Sequence, residues 1–291
     1  MVDGDCRFNR IYFFRANIAD YYLDIFSRQQ IRYEDALLKK KLTQPINKTK
    51  VKSVKYSKEK SMNNRLLWVD ALRGFAIVLM IIFHFCYDLR YFGWVDWNIP
   101  NGSNWWPFRY VIIALFTFTV GLSLSLAHQR QFRQKTFIKR LAQVFLGAAC
   151  VTMMSLFLFP KVWIYFGILH FIVVGSLITI MFVKLPKVAL GLGVLVLVCF
   201  WLSLLKSDWL FELFDPLLPQ YTKDFVPLFP WLGVMLIGLG FGGILPVRKY
   251  DIPRNRITRS LAFMGGHGLL IYLIHQPLLF GGFMLLQQFR G

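Results

Sequence analysis

The 291-residue chain predicts an all-α polytopic membrane bundle of about seven transmembrane helices, and three observations predict it. It is 56% hydrophobic and only 17% charged, against about 25% charged for an ordinary globular chain. Its apolar residues gather in seven runs, roughly 66–89, 108–127, 137–159, 162–183, 187–205, 225–245 and 260–286. Each is near the ~20 residues that carry a helix across ~30 Å of hydrocarbon. The runs lack the two-residue alternation of a barrel. They must therefore be helices, because lipid cannot satisfy open backbone groups.

The basic residues are segregated, and this orients the bundle. Residues 1–65 hold 15 of the 34 Lys and Arg. With the N-terminus in the cytoplasm, the inner loops and their flanks carry twelve cations: Arg130, Arg133, Lys135, Lys139, Arg140, Lys184, Lys187, Arg248, Lys249, Arg254, Arg256 and Arg259. The outer segments carry six: Arg90, Arg109, Lys161, Lys206, Lys223 and Arg290. Cations concentrate on cytoplasmic loops, so a multi-pass inner-membrane protein with an extracytoplasmic C-terminus is the consistent solution. The net charge of +19 then needs no nucleic-acid partner, which is the competing explanation for a basic chain. The count is weakest at the tight turn around Phe159–Lys161.

Residues 1–61 read differently. IYFFRANIADYYLDIF is at most an amphipathic helix, and the polar, basic KKKLTQPINKTKVKSVKYSKEKS has the composition of a disordered linker. No uncharged apolar stretch of secretory type precedes residue 66. Met62 begins MNNRLLWVDALRGFAIV, a natural membrane-protein start, so 1–61 reads as a cytoplasmic extension, or a start placed too early, ahead of an integral domain over 62–291. Cys6, Cys86, Cys150 and Cys199 are scattered, without disulfide or metal-site spacing.

The first run carries the chemistry. LLWVDALRGFAIVLMIIFHFCYDLRYF places Asp70, Arg73, His84 and Asp88 on one helix. At about 100° per residue, Arg73 and His84 fall within about 20° of each other and roughly 16 Å apart along the axis. Asp70 precedes Arg73 by one turn and Asp88 follows His84 by one turn, so each pair shares a face. Ionisable groups inside a span are costly and mark functional paths by default. A structural Asp70–Arg73 ion pair is the plainer reading of that end, but it leaves His84 on the same face unexplained.

Two further histidines reach comparable depth: His170 in FGILHFI and His275 in LLIYLIHQPLL. One histidine in a span is commonly a hydrogen-bonded packing residue; three at one level argue for convergence. Zinc held by the three is the metal alternative, but no short ligand spacing supports it, and no metal is assigned. His128 and His267 read as structural or interfacial. Asp224 and Trp231, in DFVPLFPW, open the sixth run as interfacial residues or as part of an acceptor site, with equal weight. Trp94, Trp97, Trp105 and Trp106 in the first outer loop read as an interfacial belt ahead of a sugar-stacking platform.

VDALRGFAIVLMIIFHFCYDL holds Arg73, ten residues, then His84, an arrangement that resembles the membrane acyltransferase superfamily. With FTVGLSLSLA, FGILHFI, DFVPLFPWLGVMLIGLGFG and GGHGLLIYLIHQPLL in order over 65–286, the chain resembles small bacterial relatives of the heparan-α-glucosaminide N-acetyltransferase catalytic domain. The resemblance implies transfer of an acyl group, in the first instance acetyl, from cytosolic acyl-CoA to a hydroxyl or amine of an envelope saccharide across the membrane. It maps the family's first-span histidine to His84 and its arginine to Arg73.

The residue chemistry agrees. A neutral imidazole deprotonates a hydroxyl or amine, or accepts the acyl group itself. Asp88 would orient the ring, Arg73 with Asp70 would meet the donor, and His170, His275, Asp224 and Trp231 would lie on the substrate side or behind the first contacts. Gly121, Gly167, Gly233 and Gly238 read as close helix contacts, and Pro227, Pro230 and Pro277 as breaks beside a cavity. Seven spans are fewer than in better-known members, which leaves a minimal core or an oligomer open. A transporter with a polar path through the first span is the competing class, although no inverted repeat is visible; a non-catalytic membrane protein is the third.

Overall fold

A computed structural model describes residues 66–100, 102–205, 222, 224–247 and 252–289. The chain divides into two units, residues 1–64 and 65–291. The basic extension and the start at Met62 lie outside the described residues.

The described part of the second unit is helical: α1 (Leu67–Tyr91), α2 (Trp105–His128), α3 (Gln134–Leu158), α4 (Ile168–Thr179, prolonged by a 3-10 turn Ile180–Phe182), α5 (Pro186–Trp201), α6 (Trp231–Ile244), α7 (Arg256–Gly266) and α8 (Gly268–Gln288). Among the described residues α1, α2, α3 and α8 are long and apolar enough to cross a membrane. Ile168–Phe182, Pro186–Trp201 and Trp231–Ile244 are shorter apolar helices. Together they follow the seven runs of the sequence in order, and the chain is an integral membrane protein.

The shorter helices show where apolarity alone misleads. The fourth run begins at residue 162, yet helix begins only at Ile168. The backbone between is satisfied by other means. Ile164 N–H donates to Ser155 Oγ (2.9 Å), and the Ile164 carbonyl accepts from Thr152 Oγ1 (2.9 Å). Thr222 donates to the Trp163 carbonyl (2.8 Å), and Val226 N–H donates to that of Phe166 (3.1 Å). The segments leading into α4 and α6 thus lie against each other through a single bridge, Phe166 with Phe225. Open backbone at membrane depth is tolerated only inside protein or along a water-filled cavity. Two such segments lie together at one end of the bundle.

The last run is also interrupted. His267, with Gly265, Gly266 and Gly268 around it, ends α7 and begins α8; glycine is the poorest helix former after proline. The Asn255 side chain accepts from Thr258 N–H at 2.8 Å and caps α7.

Helices gain little from hydrophobic association in lipid, so small residues decide which backbones meet. A Cβ at Gly121 would overlap the Met235 carbonyl, and one at Gly238 the Phe118 carbonyl, so α2 and α6 touch through their backbones. Gly74 and Gly265 do the same for α1 and α7, and Gly193 and Gly233 for α5 and α6. Gly167 instead lies beside the Asp224 carboxylate. The core among these helices is built from Ile77, Met80, Phe83, Phe116, Phe171, Met235 and Leu239. In contrast, α3 exposes Phe145, Leu146, Met153 and Phe157, and α8 exposes Leu278, Leu285 and Leu286, as lipid-facing surfaces do.

Candidate active site

The face of α1 that carries Arg73, His84 and Asp88 is turned to α7 and α8. Arg73 Nη1 donates to Asp70 Oδ1 (3.0 Å) and to the Gly265 carbonyl (3.2 Å). Its Nη2 donates to Ser123 Oγ (2.6 Å), which donates on to the Thr119 carbonyl (2.6 Å). The planar guanidinium fork thereby ties α1, α2 and α7 together.

Further along α1, His84 meets His275 of α8. The ring centroids stand 4.9 Å apart, with the planes inclined at 64°. Phe83 packs on Trp105 (6.2 Å) and Phe108 (5.9 Å) and edge-on to His84 (5.8 Å), which seats that stretch of α1 on α2. His84 has no hydrogen bond among the described residues and is half-buried, so both ring nitrogens are available. His275 Nδ1 lies 2.6 Å from the Tyr272 carbonyl. A carbonyl only accepts, so Nδ1 carries the proton and Nε2 of the neutral ring presents a lone pair. Nε2 is buried without a partner among the described residues.

Asp88 is fully buried. Its carboxylate accepts from Gln276 Nε2 at 3.0 and 3.3 Å, so it braces the residue after His275 and makes no hydrogen bond to His84. Pro277 follows directly inside α8; its missing N–H leaves one carbonyl of the preceding turn without its helical donor.

His170 stands in a network of its own. Gly167 N–H donates to Nδ1 (3.2 Å), and Thr152 Oγ1 lies 3.0 Å from Nε2. Because the Thr152 hydroxyl donates to the Ile164 carbonyl, Nε2–H of His170 donates to Thr152. Both ring nitrogens are occupied, and the ring braces the segment that leads into α4. Among the described residues no three His, Cys, Asp or Glu side chains gather as metal ligands.

Asp224 pairs with Arg109 of α2 at 3.2 Å, and Arg109 also donates to the Phe225 carbonyl (2.7 Å). Trp231 is buried at the start of α6, edge-on to Tyr110 at 5.2 Å. Of the outer-loop tryptophans, Trp94, Trp97 and Trp106 are exposed, while Trp105 lies between Trp97 and Phe83. His128 is buried against Phe132 and Phe137. His267 Nδ1–H donates to the Phe263 carbonyl at 2.9 Å. Both do local structural work.

Sequence reasoning passed over Gln276, Arg109, Thr152 and Ser123. Gln276 and Arg109 were detectable as polar side chains at the edge of or inside apolar runs. The two hydroxyls gave no signal, because Ser and Thr are ordinary in membrane helices. At the far end of the bundle, beyond Arg73, Ser125, Gln129, Arg130, Gly243, Pro246 and Val247 line a cavity of about 280 Å³.

The sequence model of the heparan-α-glucosaminide N-acetyltransferase catalytic-domain family matches residues 65–277, a range that holds both histidines of the pair. No curated protein and no solved structure matches the chain.

Proposed function

The chain belongs to the heparan-α-glucosaminide N-acetyltransferase catalytic-domain family, and on that premise we propose that it transfers an acetyl group from cytosolic acetyl-CoA to an amine or hydroxyl of an extracytoplasmic saccharide. The observation that carries the reading is the meeting of His84 and His275, 4.9 Å apart, with a buried lone pair on His275 Nε2. A pair of neutral imidazoles at the heart of an apolar bundle is equipped for proton transfer near pH 7.

In the reaction, the acceptor's nitrogen or oxygen attacks the thioester carbon, a C–N or C–O bond forms, and the C–S bond breaks. The imidazole pair takes the acceptor's proton and returns it to the departing CoA thiolate, so the enzyme ends unchanged. The Arg109–Asp224 pair and the two non-helical segments form the acceptor side, and exposed Trp97 offers an aromatic face there. Arg73 and Asp70 hold α1, α2 and α7 in register on the donor side. The basic loops around Arg130, on the end we assign to the cytoplasm, favour approach of an anionic donor.

The test is acetyl transfer by the full chain in detergent with labelled acetyl-CoA and amino- and hydroxy-sugars. Wild type acetylates a sugar and His84→Ala does not. A His84→Ala protein as active as wild type sinks the assignment.

A further inference from the structure

Two hydrogen-bond acceptors adjacent in sequence on α8 are buried without partners among the described residues: His275 Nε2 and Gln276 Oε1. In each case the rest of the side chain is pinned. His275 Nδ1–H is committed to the Tyr272 carbonyl. Gln276 donates through Nε2 to both oxygens of Asp88, and the flipped amide would set Oε1 against a carboxylate, so the network fixes which atom is left over. Buried polar atoms are nearly always paired in folded proteins, and each exception calls for an explanation. Both side chains lie where α8 faces α1, His275 against His84 and Gln276 against Asp88, one helical turn further along.

We propose that Gln276 is a specificity-determining residue, its Oε1 and His275 Nε2 forming a two-acceptor fork for the attacking group of the acceptor. The proposal rests on the acyltransferase reading above. A primary amine brings two N–H bonds and one lone pair, so both acceptors are filled while the lone pair attacks the acyl carbon. On attack the C–N bond forms and the C–S bond breaks. One N–H proton passes to His275 Nε2 and on to the thiolate; the other stays on the product amide, held by Gln276 Oε1. A hydroxyl brings one hydrogen, so one buried acceptor stays empty. A site built for a hydrogen bond discriminates strongly against a ligand that cannot make it.

Glucosamine and glucose, which differ as amine and hydroxyl at one carbon, are suitable probes for the full chain in detergent. Wild type should acetylate glucosamine in preference to glucose. Gln276→Leu should lower kcat/KM for glucosamine about tenfold to a hundredfold, through the glucosamine KM, and leave the acetyl-CoA KM unchanged. Gln276→Glu, once protonated, donates its O–H to Asp88 and keeps a carbonyl acceptor, so it should restore part of the loss. Should the Leu variant not be recovered, Gln276→Met, similar in length, takes its place.

A second readout is thermal stabilisation by glucosamine alone, present in wild type and lost in Gln276→Leu. Normal transfer with equal treatment of the two sugars, or a Gln276→Leu effect confined to stability, overturns the fork and spares the acyltransferase reading. Glucosamine stabilisation that depends on Gln276 without any transfer overturns the acyltransferase reading and spares the fork. Absence of both overturns the two together.

Discussion

Thr152→Val removes one oxygen from the network around His170. Thr152 Oγ1 lies 2.9 Å from the Ile164 carbonyl, to which it donates, and 3.0 Å from His170 Nε2, from which it accepts. Valine keeps the shape and deletes both bonds. Each is worth about 0.5–1.5 kcal/mol net, so the variant should lose about 1–3 kcal/mol of stability. The assay is unfolding in mixed micelles at rising SDS, followed by tryptophan fluorescence. A double-mutant cycle with His170→Leu isolates the Thr152–His170 term. Side-chain hydrogen bonds inside membrane bundles couple by about 0.6 kcal/mol on average and up to about 1.7, and the cycle should fall in that range. Additive losses, with zero coupling, would refute the tautomer and the bracing role together. A bracing His170 also predicts that Thr152→Val retains far more acetyl transfer than His84→Ala.

The glycine contacts between α2 and α6 predict that Gly121→Leu, whose side chain must displace the Met235 backbone, costs at least the 1–3 kcal/mol typical of overpacking; yield and melting temperature in detergent report it. Arg73→Lys replaces a fork by a point charge and cannot hold Asp70, Ser123 and the Gly265 carbonyl at once. It should lose about 1–3 kcal/mol in the same unfolding assay. For orientation, a cysteine at Asp96 should react with an impermeant maleimide in intact cells, and one at Arg254 only after permeabilisation.

The bundle was legible in the sequence because hydropathy over long windows records what lipid demands of a backbone. The Asp70–Arg73 pair and the shared face of Arg73, His84 and Asp88 followed from helical geometry alone. The short helices were not legible, because residues 162–167 are as apolar as a helix. Their backbone is held by Ser155, Thr152 and a segment about sixty residues away. Pairing across helices was equally hidden. Depth along the span placed His84, His170 and His275 at one level. Rotation of α8 chose His275 as the partner of His84, and the loop before α4 claimed His170. Asp88 bonds across to α8 and not to its own helix neighbour for the same reason: the donor that meets it, Gln276, comes from α8.

His84 stands on α1, whose neighbour α7 it meets backbone to backbone through Gly74 and Gly265. His275 stands on α8, where among the described residues only His275 and Phe283 are buried and Gly281 and Gly282 have no neighbour close to a Cβ position. The two rings of the pair therefore stand on helices held in different ways, α1 by backbone contact with α7 and α8 by the hydrogen bonds of Gln276 to Asp88.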